Sequence, residues 1–209
     1  MSVGELAKRV YASTSTVRRD LETLERQSLI RRHHGGAESV LSLHPPQVIR
    51  RQLKAKEKSA IAQKAASFVL PHSTIFIDAS TTVQYMIPFL ATIEGLTVYT
   101  NGVDTVMRLS EARIRAISTG GEVVTESLAC VGAVSVDTVR RVHFDAMFFS
   151  SAGYNDEFIS DWSEAETVLR RAVMEQSKKK YFLADDTKKG KRYTHIVCSL
   201  SAIDEVVCE

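Results

Sequence analysis

The chain has 209 residues, 44% of them apolar, and a formal net charge of +2; its mean hydropathy is −0.09. That suits one sizeable core with a small appendage, and no apolar run approaches the ~20 residues a membrane-spanning helix needs. Three widely spaced cysteines, Cys130, Cys198 and Cys208, fit a reduced, cytoplasmic protein and give no metal-ligand spacing, so neither metal nor cofactor is expected. The charge is unevenly placed: ten basic and five acidic residues through Lys54 give +5, and the remainder carries −3. This is the footprint of a nucleic-acid module joined to a neutral or acidic domain.

Met1 leads directly into an amphipathic helix pattern, with no signal peptide. Ser2-Val3-Gly4-Glu5 fits a capping box, and Val3, Leu6, Ala7 and Val10 form an apolar stripe at helical spacing. Tyr11 and Ala12 make a break, and Ser13 is a second N-cap. Val17, Leu21 and Leu24 then face inward, leaving Thr14, Ser15, Arg18, Arg19 and Glu22 outward. Helix, short turn, helix is the helix-turn-helix layout. Thr14, Ser15 and Thr16 can donate to phosphate at the second helix's N-terminal end, and Arg18 and Arg19 can reach guanine edges or phosphates. Arg31, Arg32, His33 and His34, closed by Gly35-Gly36, read as a basic strand or wing.

Two amphipathic helices with arginines are common, and the bland reading is that such charges are merely solvated. The turn spacing, the hydroxyl cap, the paired arginines and the basic tail together favour DNA. TVRRDLETLERQSLIRRHHGGA also closely resembles the signature of the DeoR family of bacterial transcriptional regulators. The resemblance places Thr16, Arg18, Arg19 and Asp20 on the recognition helix and Arg32, His34, Gly35 and Gly36 in the wing; Ser28 stands where the family usually has glycine. Taken with the hydroxyl cap and the basic segment, the expected DNA contacts are Ser13, Thr14, Thr16, Arg18, Arg19, Arg31, Arg32 and His34. Family members carry a further helix before the one at Val3 to Val10, so residues 1–37 are expected to be a helix-turn-helix domain with its first helix missing.

Residues 38–55 read as a linker, with Pro45-Pro46 and no clean periodicity. Beyond them, helices are expected at Lys58–Val69, Thr82–Leu90, Val103–Ser110 and Ser163–Ser177. Strands are expected at Thr74–Ile77, Leu96–Thr100, Ile114–Ser118, Ala146–Ser150 and Tyr181–Ala184. Short apolar strands alternating with helices argue for a largely parallel sheet covered on both faces, whose ligands sit beyond the carboxyl ends of the strands. Those ends read Asp78-Ala79-Ser80-Thr81-Thr82, Thr100-Asn101-Gly102, Thr119-Gly120-Gly121-Glu122, Ser151-Ala152-Gly153 and Asp185-Asp186-Thr187-Lys188. Ser80, Thr81 and Thr82 at a helix start suggest a phosphate cradle, and Lys188 supplies positive charge. Asp78, Asn101 and Asp185 suit hydroxyls, since a carboxylate repels phosphate. Singly, each has an ordinary reading as an N-cap, a tight turn or a surface pair; their recurrence at one rim carries the case. Lys178-Lys179-Lys180 reads as a solvated helix end.

DASTT, YTNG, TGGE, FDAMFFSSAG and LADDTKKG resemble, in order, the blocks of the DeoR-type C-terminal sensor domain, over residues 56–209. The resemblance implies an α/β fold similar to sugar-phosphate isomerases and a phosphorylated sugar as effector. It carries over Asp78, Ser80, Thr81, Thr82, Asn101, Gly120, Gly121 and Lys188, then Glu122, Ser151 and Gly153; Ser80 replaces a more usual glycine. The expected function is a DNA-binding regulator, a repressor of a sugar-metabolism operon, acting on double-stranded operator DNA as a homodimer or homotetramer with no membrane partner. A sugar-phosphate isomerase is the competing class, and isomerisation needs a carboxylate base. The corresponding isomerase loop, here Ser150 to Tyr154, has none; Asp156 and Glu157 come later, and Glu164 and Glu166 fit caps or surface charges. The third reading is a sensor that no longer binds DNA on its own.

Overall fold

Every second residue of the central strands faces the same layer, and this alternation builds the main domain. In the computed structural model, which describes residues 1–26, 30–33, 35–39 and 45–209, the chain divides into two compact units, Met1–Pro46 and Gln47–Glu209.

The first unit holds α1 (Val3–Arg9), α2 (Thr14–Arg26), β1 (Ile30–His33) and β2 (Gly36–Ser39). Ser2 and Glu5 form the expected capping box on α1. Ser13 Oγ accepts from the Thr16 amide (3.1 Å) and caps α2. Ala7, Val17 and Leu21 are buried, with Val3, Leu6, Ala12, Leu24, Ile30 and Ala37 packed around them. Val10 is not on that inner stripe. It caps the end of α1, has left the helical face, and is exposed. β1 and β2 form an antiparallel hairpin, and Met1 pairs with Ala37 through both backbone groups. A Cβ on Gly36 would stand 2.4 Å from the Met1 carbonyl oxygen, so only glycine admits this close pairing.

The second unit contains α3 (Gln47–Gln52), α4 (Ala55–Ala66), β3 (Thr74–Ile77), α5 (Thr81–Gln84), α6 (Ile87–Leu90), β4 (Thr97–Thr100), α7 (Val103–Glu111), β5 (Arg115–Ser118), β6 (Glu122–Val124), β7 (Ala129–Val131), α8 (Ala133–Arg140), β8 (Phe144–Phe149), β9 (Gly153–Tyr154), β10 (Phe158–Asp161), α9 (Glu164–Glu175), β11 (Ser177–Leu183), β12 (His195–Ser199) and β13 (Glu205–Val207). Six strands form one parallel sheet in the order β13-β11-β8-β3-β4-β5. Ile75, Ile77, Ala146, Phe148 and Leu183 point into one core layer. Phe76, Met147, Phe149 and Phe182, their neighbours in sequence, point into the other. β12, β10 and β9 make a separate antiparallel sheet.

Several elements differ from the sequence-based expectation. Residues 47–52, within the expected linker, are helical as α3, and Gln47 is buried. The expected helix Thr82–Leu90 is two short helices broken at Tyr85-Met86, ahead of Pro88, which has no amide to continue the ladder. Lys178-Lys179-Lys180 lies within β11 rather than at a helix end. α8 and the β6–β7 hairpin have no counterpart in the sequence reading.

The strand order fixes where a ligand can enter. The chain moves outward from β3 to β4 and β5, then crosses to β8 and on to β11 and β13. Connections therefore diverge between β3 and β8, leaving a crevice beyond their carboxyl ends. Asp78 follows β3 and Ser150 follows β8.

Candidate functional site

The first unit presents one charged helical face. Thr14, Ser15, Arg18 and Arg19 on α2 are exposed while Val17 and Leu21 are buried. Ser13 Oγ lies 2.8 Å from both Ser15 Oγ and Thr16 Oγ1, so the hydroxyls form one cluster at the start of α2. Arg18 and Arg19 make no ion pair among the described residues. Arg32 behaves differently: its guanidinium lies 3.5 Å from Glu22 and 3.6 Å from Glu25, and its amide donates to Glu25. The pairs are solvent-exposed and each is worth little, but they aim Arg32 at α2. His34, Ser28 and the Arg31 side chain lie outside what is described.

The second unit gathers charge at the crevice. Arg170, on α9, is buried and donates to three carboxylates: Asp78 (3.1 Å), Asp161 (2.9 Å) and Glu166 (3.1 Å). Glu166 is therefore a buried partner of the residue one turn later, not a surface charge. Burial disfavours the Arg170 cation, but these three carboxylates outweigh it and hold its pKa above the ordinary value. Burial likewise pushes Asp161 up, yet the charge of Arg170 and hydrogen bonds from Ser163 and Ser151 bring its carboxyl below the usual range. Asp78 also accepts from the amides of Ser80 (3.0 Å) and Ser150 (3.4 Å). Asp185 caps the 3-10 turn Asp186–Lys188 through Thr187. Each of these carboxylates accepts at least one hydrogen bond within the fold.

Three other cations converge beside this network. Lys58, on the inner face of α4, donates to Thr81 Oγ1 (3.0 Å) and to the Arg50 carbonyl. Lys188 donates to Ser150 Oγ and approaches Thr82 Oγ1 at 3.5 Å. Burial lowers both lysines to about 8; for Lys58 the neighbouring charge of Lys188 adds to it, and for Lys188 that of Arg50. Lys188 is partly exposed. The Arg50 guanidinium, also pushed down by burial, sits 5.6 Å from the centroid of the Trp162 ring. None of the three has a carboxylate at ion-pair distance among the described residues. Arg50 Nε and Ser80 Oγ, both buried, have no hydrogen-bond partner there. α5 is only four residues long, so the positive field over Ser80-Thr81-Thr82 comes from these side chains more than from a helix dipole.

The expected effector residues separate into groups. Asp78, Ser80, Thr81, Thr82, Ser151, Asp185 and Lys188 surround the crevice. Ser151 reaches it through Asp161, to which it donates at 2.8 Å. Asn101 is used as a brace: its Oδ1 accepts from Ala79 N (3.0 Å) and its Nδ2 donates to the Cys130 carbonyl (3.2 Å). Gly120 and Gly121 lie at the same carboxyl edge but after β5, two strands from β3. Gly121, at φ 111°, packs against β7 and α8, where a Cβ would meet Val131 O at 2.4 Å. Glu122 is exposed on β6. Gly153 lies against the Lys191 backbone. Sequence reasoning missed Arg50, Lys58, Ser150, Asp161 and Arg170. Lys58 alone left a signal, standing in register with Ile61, Ala62 and Ala65 on the buried stripe of α4.

Comparison with known proteins agrees with both halves. Residues 1–42 match the family model described as the DeoR-like helix-turn-helix domain, and residues 53–209 match the DeoR C terminal sensor domain. The HTH-type transcriptional regulator GolR of Listeria innocua is 32% identical over 216 residues, covering 100% of this chain and 84% of its own length. The uncharacterized HTH-type transcriptional regulator YgbI of Escherichia coli is 32% identical over 212 residues, with 100% and 83% covered. The glycerol-3-phosphate regulon repressor of Escherichia coli is 30% identical over 209 residues, with 99% and 83% covered. Among solved structures, eIF2B delta from Chaetomium thermophilum is similar at a TM-score of 0.56 and 11% identity over 77% of this chain. Ribose 5-phosphate isomerase A from Methanocaldococcus jannaschii is similar at a TM-score of 0.50 and 13% identity over 66% of this chain. This chain spans 58% and 56% of those two structures, and at such identities they show the fold alone. The helix-turn-helix unit and the parallel sensor sheet thus belong together, and the chain is a member of the DeoR family of DNA-binding transcriptional regulators.

Proposed function

We propose that the protein is a repressor of a sugar-metabolism operon whose hold on operator DNA is set by a phosphorylated sugar bound at the crevice of the second unit. The observation that carries this reading is the convergence of Lys58 and Lys188 on Thr81 and Thr82, with the partly unsatisfied Arg50 guanidinium close enough to lower both lysines and no carboxylate at ion-pair distance of the three among the described residues. A phosphate dianion is the ligand chemistry that such a group of buried donors fits. The carboxylates of the Arg170 network then face the sugar hydroxyls, and Ser80 Oγ and Arg50 Nε supply further polar contacts. DNA recognition belongs to α2, with Arg18 and Arg19 toward the groove and Ser13, Thr14 and Thr16 toward backbone phosphates. Pairing of two or four chains would supply half-site affinity that a single helix lacks. The similarity to the glycerol-3-phosphate regulon repressor of Escherichia coli supports the repressive sense and is in keeping with a phosphorylated metabolite.

An isomerase would need one carboxylate free to take a proton. Asp78, Asp161 and Glu166 are all bound to Arg170, which favours a sensor without turnover. The test is thermal unfolding against a panel of phosphorylated sugars, followed by a gel shift on the DNA upstream of its own gene. A ligand at 100 times its dissociation constant stabilises by ~2.7 kcal/mol, which in a chain of this size raises the melting temperature by about 5–10 °C. The same ligand should release the DNA. A panel with no response sinks the reading, as does turnover of ribose 5-phosphate abolished by a substitution at Asp78 or Glu166. Ligand binding without any gel shift would instead favour a sensor acting through partner chains.

A further inference from the structure

The helix that opens the second unit lies directly on the loop assigned to the anion. Gln47, 2% exposed, donates from Nε2 to the Ala79 carbonyl at 2.8 Å. Lys58 holds Thr81 with one hydrogen bond and the Arg50 carbonyl with another. The Tyr85 hydroxyl, just after α5, donates to the Arg51 carbonyl at 3.0 Å. Three points of α3 are thus tied to the stretch between Ala79 and Tyr85, and its Arg50 guanidinium, which lies over Trp162 and donates to the Glu126 carbonyl (3.5 Å), keeps a buried Nε without a partner among the described residues, within the electrostatic reach of Lys58 and Lys188.

Elsewhere α3 is held by an ion pair from Arg51 to Asp104 (2.5 Å) and by hydrogen bonds from the Gln47 amide (3.1 Å) and the Arg50 guanidinium (3.5 Å) to the Glu126 carbonyl. Val48 and Leu53 are about half exposed. Lys54, which joins α3 to α4, is left-handed at φ 57° and ψ 40°, a conformation uncommon for lysine. A groove of about 400 Å³ lined by Arg51, Tyr85, Pro88 and Arg108 borders it, so a shift of the helix meets open space rather than close-packed side chains. Gln47, the first residue of α3, directly follows Pro46, the last of the first unit.

We propose that α3 is the output element of the effector crevice: an anion on Thr81, Thr82 and Lys188 is also gripped by Arg50 and Lys58, and this grip fixes the seating of the helix that leads back to the DNA-binding unit. The inference rests on the phosphate reading of the crevice. Without an anion, Arg50 and Lys58 carry like charges that oppose each other's approach. With one between them, the repulsion becomes a bridge from α3 to α4 and the loop. A ligand shifts an equilibrium only through contacts that differ between the two states, and Arg50 is that contact here: it reaches the anion only when α3 is seated. Gln47 and Tyr85 are positioning residues that keep the helix within reach.

Hydrogen exchange of the full chain, read by mass spectrometry with and without inorganic phosphate as the probe, tests this. Saturating phosphate should slow exchange of the α3 amides by about fivefold or more, with β13 unchanged. Arg50→Gln should still bind phosphate through the two lysines, with affinity lowered about tenfold. At saturation it should show none of the slowing in α3, and Arg50→Lys should restore part of it. Tyr85→Phe, which removes a single hydroxyl, should weaken the α3 response while leaving phosphate affinity within about threefold. Phosphate binding that leaves α3 exchange unchanged in the parent overturns the inference and spares the anion site. Full slowing in Arg50→Gln does the same. Phosphate that does not bind the parent at all removes both.

Discussion

Replacing Lys58 with methionine should make the ligand-free protein more stable and at the same time less responsive to phosphate. Lys58 is 5% exposed, and burial, with the charge of Lys188, brings its ammonium from an ordinary value of 10.5 to about 8. The folded protein therefore binds this proton less tightly than the unfolded chain does. At 1.36 kcal/mol per pKa unit, carrying the charge costs about 3 kcal/mol. The lysine is charged in both states at pH 7, so the whole cost is present there. It is relieved as pH rises from about 8 to 10.5, where the unfolded chain holds the proton and the folded protein has released it. Methionine keeps the length of the stem and a similar helix propensity, but loses the hydrogen bonds to Thr81 and the Arg50 carbonyl, at about 1–3 kcal/mol for the pair. The net gain at pH 7 is ~0–2 kcal/mol, or up to about 8 °C in melting temperature for a chain of this length. Thermal unfolding of parent and variant at pH 7 and pH 10, each with and without millimolar inorganic phosphate, checks every part. The variant's advantage should shrink at the higher pH. Phosphate should raise the melting point of the parent more than that of the variant, and less above pH 8, as Lys58 and Lys188 lose charge. A variant that is less stable at pH 7, or gains as much from phosphate as the parent, would refute the placement of Lys58 at an anion site.

Two further perturbations probe the rest of the chain. Arg170→Met strands Asp78, Asp161 and Glu166 without their cation and should destabilise by about 3–5 kcal/mol. Because Asp161 lies below its usual range in the parent, its contribution is present above about pH 4 and fades as pH falls below that. The gap between parent and variant in urea unfolding should therefore hold from pH 7 to about pH 4 and narrow below it, and a gap that stays constant well below pH 4 would mean that Asp161 is not held as a charge. Arg18→Ala should weaken operator binding in a gel shift by ~1–3 kcal/mol if Arg18 reads a base, with relaxed preference at that position. Unchanged affinity would move the recognition face elsewhere on α2.

The parts legible in the sequence are those set by local periodicity. Val17 and Leu21 point inward on α2 because residues three and four apart share a helix face, so Arg18 and Arg19 had to point out. Ile75, Phe76 and Ile77 formed a strand buried on both faces, and the five expected parallel strands all exist. The misses come from chemistry that spans the chain. Arg170 reads as one more charge on an amphipathic helix until Asp78, ninety-two residues earlier, and Asp161 fold against it. Asn101 looked like a ligand for hydroxyls, yet its amide is consumed in joining the β3 loop to β7. Arg32 looked like a free wing arginine, yet it pairs with two glutamates of α2. Short segments such as β6, β7 and β9 are held by pairing rather than by their own propensity, which is why no pattern announced them.

The sequence by itself determined that a helix with exposed arginines is followed by an alternating α/β domain, because spacing along the chain decides which side chains face a core. Only the tertiary structure decided which charges are neutralised and which are left over. Coulombic pairing and burial depend on distance in space, so the partition of the crevice into an Arg170 network and three cations without an ion pair among the described residues exists only once β3, β8, α3, α4 and α9 have met.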